Sequence, residues 1–150
     1  MAITPETRDY RTFEVRALDT GEEDKQYRVE GYAAVFDEET VLYEYDGIEY
    51  KEVIDRSAFT GAEMRDVVMN YNHGGKPVAR TKNGTLQLTV DTRGLRISAD
   101  LSGTEEGRRL YEEIRGGYLD QMSFAFTVNK QEYDRAKHLR RITGFKRVFD

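Results

Sequence analysis

Ser123 and His73 are the two side chains best suited to do chemistry together in this chain. A serine hydroxyl is a poor nucleophile at neutral pH and needs a base within hydrogen-bond reach to take its proton. The chain has two histidines and no cysteine, so neutral bases are few and thiol chemistry is excluded. Ser123 lies in the run Met122-Ser123-Phe124-Ala125-Phe126-Thr127-Val128. Side chains alternate faces along a strand. Met122, Phe124, Phe126 and Val128 would then seat one face in a core, and Ser123, Ala125 and Thr127 would form a small, approachable face. A serine there could reach a substrate carbonyl, although a serine on an open strand face is most often only that. His73 closes the run Val67-Val68-Met69-Asn70-Tyr71-Asn72-His73 before Gly74-Gly75, at a strand end where loop-lined sites form. It could equally cap that end. Fifty positions separate the pair, so only the fold can bring them together.

A third group must hold such a base in the right tautomer. Asp150, after Val148-Phe149, is the first candidate, and its plain alternative is a terminal acid. Its terminal position predicts a weakly held carboxylate. His138, in the polar loop Asp134-Arg135-Ala136-Lys137-His138, is the rival, and Asp120 is a further substitute. Other chemistries lack their signatures. There is no GK[ST] phosphate loop, no G-x-G-x-x-G at a strand–helix junction and no His pair at i, i+4. Glu105-Glu106 and Glu112-Glu113 read as solvent face and dipole complement of a helix.

The elements that must position these residues are mostly strands. Tyr10–Ala17, Tyr27–Phe36, Thr40–Tyr45 and Tyr50–Ile54 carry β-branched and aromatic residues. Gly21–Asp24 reads as a turn and Gly31 as a bulge or crossing point. Asp46-Gly47 suits a two-residue hairpin. Leu86–Asp91 and Leu95–Leu101 form another hairpin, and Leu139–Phe149 a last strand. Arg56–Asp66 suggests a short helix capped by Ser57 or Thr60. A firmer helix spans Glu105 to Arg115, with capping-box spacing at Ser102–Glu105, Thr104 as alternative cap, and Gly116-Gly117 as its end. Short strands with tight turns predict a mainly β (α+β) domain: an antiparallel sheet, curled or closed into a barrel, with one or two flanking helices. Residues 1–150 read as one domain, with 1–8 as a loose arm.

Composition supports a globular chain. Of 150 residues, 38% are apolar and 34% charged, and 10 Tyr and 7 Phe supply enough bulk to argue against wholesale disorder. No stretch approaches the roughly 18–20 apolar residues of a membrane span, and the N-terminus lacks a secretory signal. A net charge of -5 disfavours nucleic acid. Acids crowd residues 19–55, whereas Arg135 to Phe149 carries Arg135, Lys137, Arg140, Arg141, Lys146 and Arg147 and no acid. That segment reads as a solvated hairpin balancing the acidic half, or as a docking strip for an acidic partner.

Several segments line up in order: Glu30-Gly31-Tyr32-Ala33-Ala34-Val35-Phe36, Val53-Ile54-Asp55-Arg56-Ser57-Ala58-Phe59, Tyr71-Asn72-His73-Gly74, Val90-Asp91-Thr92-Arg93-Gly94-Leu95, Thr104-Glu105-Glu106-Gly107, Gly116-Gly117-Tyr118-Leu119 and Met122-Ser123-Phe124-Ala125-Phe126. Over residues 27–150 the chain resembles the tailed-phage prohead proteases, capsid-maturation serine proteases related to the herpesvirus assemblins. The Asn-His-Gly and Ser-Phe-Ala-Phe segments are the most specific. The resemblance implies an assemblin-like barrel, Ser123 as nucleophile, His73 as base and Asp150 as third member. The herpesvirus relatives use a histidine as third member, which keeps His138 as rival, and arginines near their site assist, which points to Arg140 or Arg141 at the oxyanion. It further implies a protease core without the family's C-terminal region, acting without metal or cofactor inside the procapsid in the host cytoplasm. Its implied substrates are a capsid-protein scaffold segment, a scaffold protein and the protease itself. It implies no nucleic acid and no membrane, and it is compatible with a homo-oligomer. The contrasting reading is a non-catalytic β-barrel binding or assembly module of the procapsid. A nucleic-acid-binding barrel is a third.

Overall fold

The computed structural model describes residues 8–18, 27–71 and 75–150. Ten strands and one α-helix make up the described chain: β1 (Asp9–Ala17), β2 (Arg28–Val35), β3 (Thr40–Tyr45), β4 (Ile48–Ile54), β5 (Val68–Asn70), β6 (Pro77–Arg80), β7 (Leu86–Val90), β8 (Gly94–Asp100), α1 (Glu105–Arg115), β9 (Gln121–Asp134) and β10 (Leu139–Val148). Eight strands form one curled half-barrel sheet in the order β3-β4-β10-β9-β1-β2-β8-β7, and β5 and β6 form a separate hairpin. The barrel is thus curled rather than closed, with β3 and β7 at the edges. Pairing is antiparallel apart from β4 with β10, which run parallel from Leu139 opposite Lys51 to Ile142 opposite Ile54.

Local chemistry accounts for the tight turns. Asp46 and Gly47 both adopt positive φ (53° and 75°), which matches the twist of the β3–β4 hairpin. Gly31 sits where β2 passes β1 so closely that a Cβ would strike the Glu14 carbonyl oxygen, so it is a crossing point. The bulge in β2 falls later, between Tyr32 and Ala34.

The helix α1 starts at Thr104, whose hydroxyl accepts the Gly107 N–H at 2.9 Å. Thr104, not Ser102, is the cap, and with Gly107 three residues on, no side chain returns the bond as a capping box requires. At the other end the Tyr118 N–H reaches Glu113 O (2.9 Å) and the Gly117 N–H reaches Ile114 O (3.2 Å), with Gly117 at φ 79°. That is a Schellman closure. Leu110, Tyr111 and Ile114 are buried beneath it, each contributing roughly 1.5–3 kcal/mol by burial.

Two segments depart from the sequence expectation. Residues 56–61 form a run of turns, not a helix. The Asp55 carboxylate accepts from the Ser57 N–H (3.1 Å) and hydroxyl (2.5 Å), and the chain then bonds to β10 through Glu63 N–H to Lys146 O (2.9 Å). Those long-range partners replace the bonds a helix would have needed. Phe59 is inserted into the core, stacked on Phe145 with ring centroids 4.5 Å apart. Secondly, β9 runs on through the polar stretch Asn129–Asp134, so Asp134, expected in the loop, is strand, because the β10 ladder supplies its partners, and only Arg135–His138 remain as a turn.

The core lies between the concave face of the sheet, α1 and the β5–β6 hairpin. Phe124, Phe126 and Phe145 pack at its centre, with Phe126 edge-on to Phe145 at 4.8 Å. The expected turn at Gly21–Asp24 lies outside the described residues, as do residues 1–7 of the expected loose arm. Arg8 is described, and its guanidinium stacks on the Phe149 ring at 3.8 Å.

Candidate active site

Ser123 is held by a strand whose two neighbours fix its register. Thr12 of β1 stands opposite Ser123, and β10 accompanies β9 from Asp134 as far as Phe126. Phe124 and Phe126 point together into the core, their rings 4.8 Å apart, as the alternation predicts. The small face is less open than expected. Ala125 and Thr127 are buried, and only Ser123 remains partly accessible.

The chain's last residues explain part of this. The Ala125 N–H donates to the Asp150 main-chain oxygen at 2.7 Å, and the Phe149 N–H donates to Ala125 O at 3.0 Å. Phe149 and Asp150 therefore continue the β10 lane beside β9 and end about two residues short of Ser123, roughly 7 Å along the strand.

Asp150 is firmly seated, contrary to the expectation from its position. Besides the bond to Ala125, its Oδ2 accepts the side-chain N–H of Asn70 at 3.1 Å. The Val68 N–H adds a bond to Phe149 O at 3.2 Å. The Phe149 ring contacts two guanidinium groups, Arg8 and Arg147, the second at 4.8 Å. β5 is thus pinned to the chain end, and the segment leading towards residue 73 starts at the Asp150 carboxylate.

A cavity of about 500 Å³ opens at this junction. Ser123, Asp150 and Asn70 lie on its wall, and Met69, Leu110 and Ile114 supply part of its apolar lining. Tyr71 and Glu113 add a second polar pair. The Tyr71 hydroxyl donates to both Glu113 carboxylate oxygens (2.9 and 2.7 Å), and this bond holds the phenol above its ordinary pKa. Sequence reasoning overlooked Asn70 and the Tyr71–Glu113 pair. An amide directly after the apolar run Val67–Met69 was the signal for the first.

The remaining candidates are distributed elsewhere. His73 lies outside the described residues. His138 forms the β9–β10 turn with φ 50°, its ring 5.0 Å from that of Tyr50. Its neighbour Leu139 pairs with Asp134, eleven positions along β9 from Ser123, about 36 Å on an extended strand. The fold does not bring His138 to Ser123.

Arg140 and Arg141 share that distant end and do not line the cavity. Arg140 bonds the buried Glu52 (3.2 Å) and Gln131 (2.6 Å), and Arg141 bonds Asp55 (3.2 Å). Their charge is spent on β4 and its flanks, away from the cavity wall that carries Ser123. Asp120 is exposed, and its carbonyl accepts the Val15 N–H at 3.0 Å.

Among the described residues no cluster of His, Cys, Asp and Glu could hold a metal ion, and no helix is long and apolar enough to cross a membrane. No curated protein and no solved structure matched the chain. The family model described as Caudovirus prohead serine protease matches residues 11–150. That match covers nearly the whole chain, and the chain belongs to the caudovirus prohead serine proteases, a family of serine peptidases.

Proposed function

We propose that Ser123, His73 and Asp150 form the catalytic triad of this peptidase, and that it cleaves scaffold segments of capsid or scaffold protein, and itself, inside the procapsid. The observation that carries this reading is the Asn70–Asp150 hydrogen bond beside Ser123. His73 is the second residue after Tyr71, and two residues of chain span at most about 7 Å. The carboxylate, the serine strand and the root of the histidine segment therefore converge on one cavity wall.

The chemistry is acyl transfer. His73 removes the Ser123 proton as the oxygen attacks the peptide carbonyl, then returns it to the departing amine. Water enters, gives a proton to His73 and releases the acyl group, restoring the serine. Asp150 orients the imidazole and stabilises its charged form. The membership in a peptidase family speaks against the non-catalytic module.

Incubation with the phage's own capsid protein carrying its scaffold segment tests the reading. Discrete cleavage that disappears in Ser123→Ala, His73→Ala and Asp150→Ala supports it. Cleavage that persists in Ser123→Ala contradicts it.

A further inference from the structure

The cavity beside Ser123 opens onto residues of the concave sheet, α1 and the β5–β6 hairpin. Its volume falls in the range of small-ligand pockets, and such pockets are mostly apolar with a few polar groups at one place. Here the apolar lining comes from the sheet as well as from α1 and β5. Phe13 stands opposite Met122 across β1 and β9, and Leu88 stands opposite Ile97 across β7 and β8. Phe13, Leu88 and Met122 line the cavity and keep part of their surface uncovered, although all three pack against the core. At the rim the Schellman turn after α1 presents Tyr118, 85% exposed, and Leu119, 38% exposed.

Charge narrows the occupant. The described lining holds two acids, Glu113 and Asp150, and no lysine or arginine, so an acidic side chain would find no cation there to pair with. Glu113 already accepts from Tyr71, and Asp150 from Asn70, so neither is arranged around a vacant cation site. A methyl group would leave most of the volume unfilled and forfeit its dispersion contacts.

We propose that this cavity is a specificity pocket for a large apolar side chain (Leu, Met or Phe) on the substrate residue whose carbonyl is attacked. The inference rests on Ser123 being the nucleophile. Tyr118 and Leu119 form the apolar lip over which that side chain enters, and Leu88 lies on the far wall.

Two measurements test it. In the first, peptides differing only at that residue (Leu, Met, Phe, Ala, Lys or Asp) are titrated calorimetrically into Ser123→Ala, which binds without cleaving. The Leu, Met and Phe peptides should bind at least about tenfold tighter than the others, the scale on which apolar pockets discriminate. Adding Leu88→Trp, which fills the cavity from an edge strand, should remove that advantage while leaving the Ala peptide unchanged. Should Leu88→Trp fail to fold by circular dichroism, Leu119→Asp at the exposed lip serves instead, with the same expected loss. Equal affinities, a preference for Ala, Lys or Asp, or an advantage that survives a folded pocket variant overturns the proposal.

In the second, a random peptide pool is digested by the wild-type protein and the cut sites are read by mass spectrometry, alongside labelling of Ser123 by a fluorophosphonate. Labelling with cuts after small or charged residues overturns the pocket and leaves the triad standing. Apolar binding preference without labelling removes the triad and with it the assignment of the pocket to the attacked residue, leaving only an apolar binding cavity.

Discussion

Asn70 donates its side-chain amide to Asp150 across 3.1 Å, joining residues eighty positions apart. The bond ties the end of β5 to the end of the β10 lane, the two places from which the proposed triad draws its base and its acid. A charge-assisted bond of this kind is worth more than a neutral one.

Loss of that amide should therefore act on turnover. Asn70→Ala is expected to lower kcat by about 10- to 100-fold, the loss of one hydrogen bond to a charged group, with KM little changed. Asn70→Asp should be worse at low pH than at high, because two adjacent carboxylates retain a shared proton. Steady-state kinetics across pH checks both, and a purely structural Asn70 would leave the pH profile of kcat unaltered.

Arg140 should matter for stability and not for chemistry. Glu52 is 4% exposed and bonds both Arg140 and Arg11 (2.7 Å to the Arg11 Nη2). Glu52→Ala is expected to cost about 2–4 kcal/mol by leaving two half-buried cations without their partner. Arg140→Ala should cost less, about 1–3 kcal/mol, and leave kcat/KM per folded molecule within a few-fold. Urea unfolding and active-site-titrated kinetics separate the two effects.

Gly107 reverses the usual helix rule. Replacing an interior helical glycine by alanine ordinarily gains about 1 kcal/mol. Here the new Cβ would meet the Leu101 carbonyl oxygen at 2.5 Å and the Thr104 hydroxyl at 2.9 Å, crowding the cap. Gly107→Ala is expected to destabilise by about 1–3 kcal/mol, read as a lower urea midpoint at unchanged slope.

Acid should loosen the β2–β8 pairing. Glu30 bonds Arg96 (2.6 Å) and Arg16, and these guanidinium groups, Arg96 foremost, hold its carboxyl below the usual value. A carboxylate depressed on folding stabilises the protein fully above its unfolded pKa, about 4.3 for Glu, and that contribution fades as pH falls through the folded value. Asp91, depressed chiefly by the Tyr32 hydroxyl, and Asp55, chiefly by Ser57, shift in the same direction. Thermal midpoints should thus decline below about pH 5, and Glu30→Gln should lower the midpoint at neutral pH while flattening that decline.

Much of the scaffold was legible because its signals are local. The Asp46-Gly47 turn, the Gly116-Gly117 helix stop and the core-facing Phe124 and Phe126 of β9 follow from backbone preference and period-two alternation, and each appears as expected. What escaped depends on distant partners. The 56–66 segment has helix-like composition, but Asp55 and β10 claim its backbone groups first. The exposed tail of β9 is polar on both faces and exists as strand through β10. The Pro77–Arg80 strand is too short to announce itself, with proline at its first position, where no ladder donor is lost. Ser123 was conspicuous on its strand, and the seating of Asp150 was not, since Asn70 and Ala125 reach it only through the folded sheet.

Peptide cleavage by this triad requires Ser123 to be activated by His73 and the carboxylate of Asp150. Fluorophosphonate labelling followed by peptide mapping addresses this directly. The predicted result is stoichiometric modification of Ser123 alone, slowed at least about a hundredfold by His73→Ala and more modestly by Asp150→Asn. Modification at another serine, or labelling of Ser123 at an unchanged rate in His73→Ala, would contradict it.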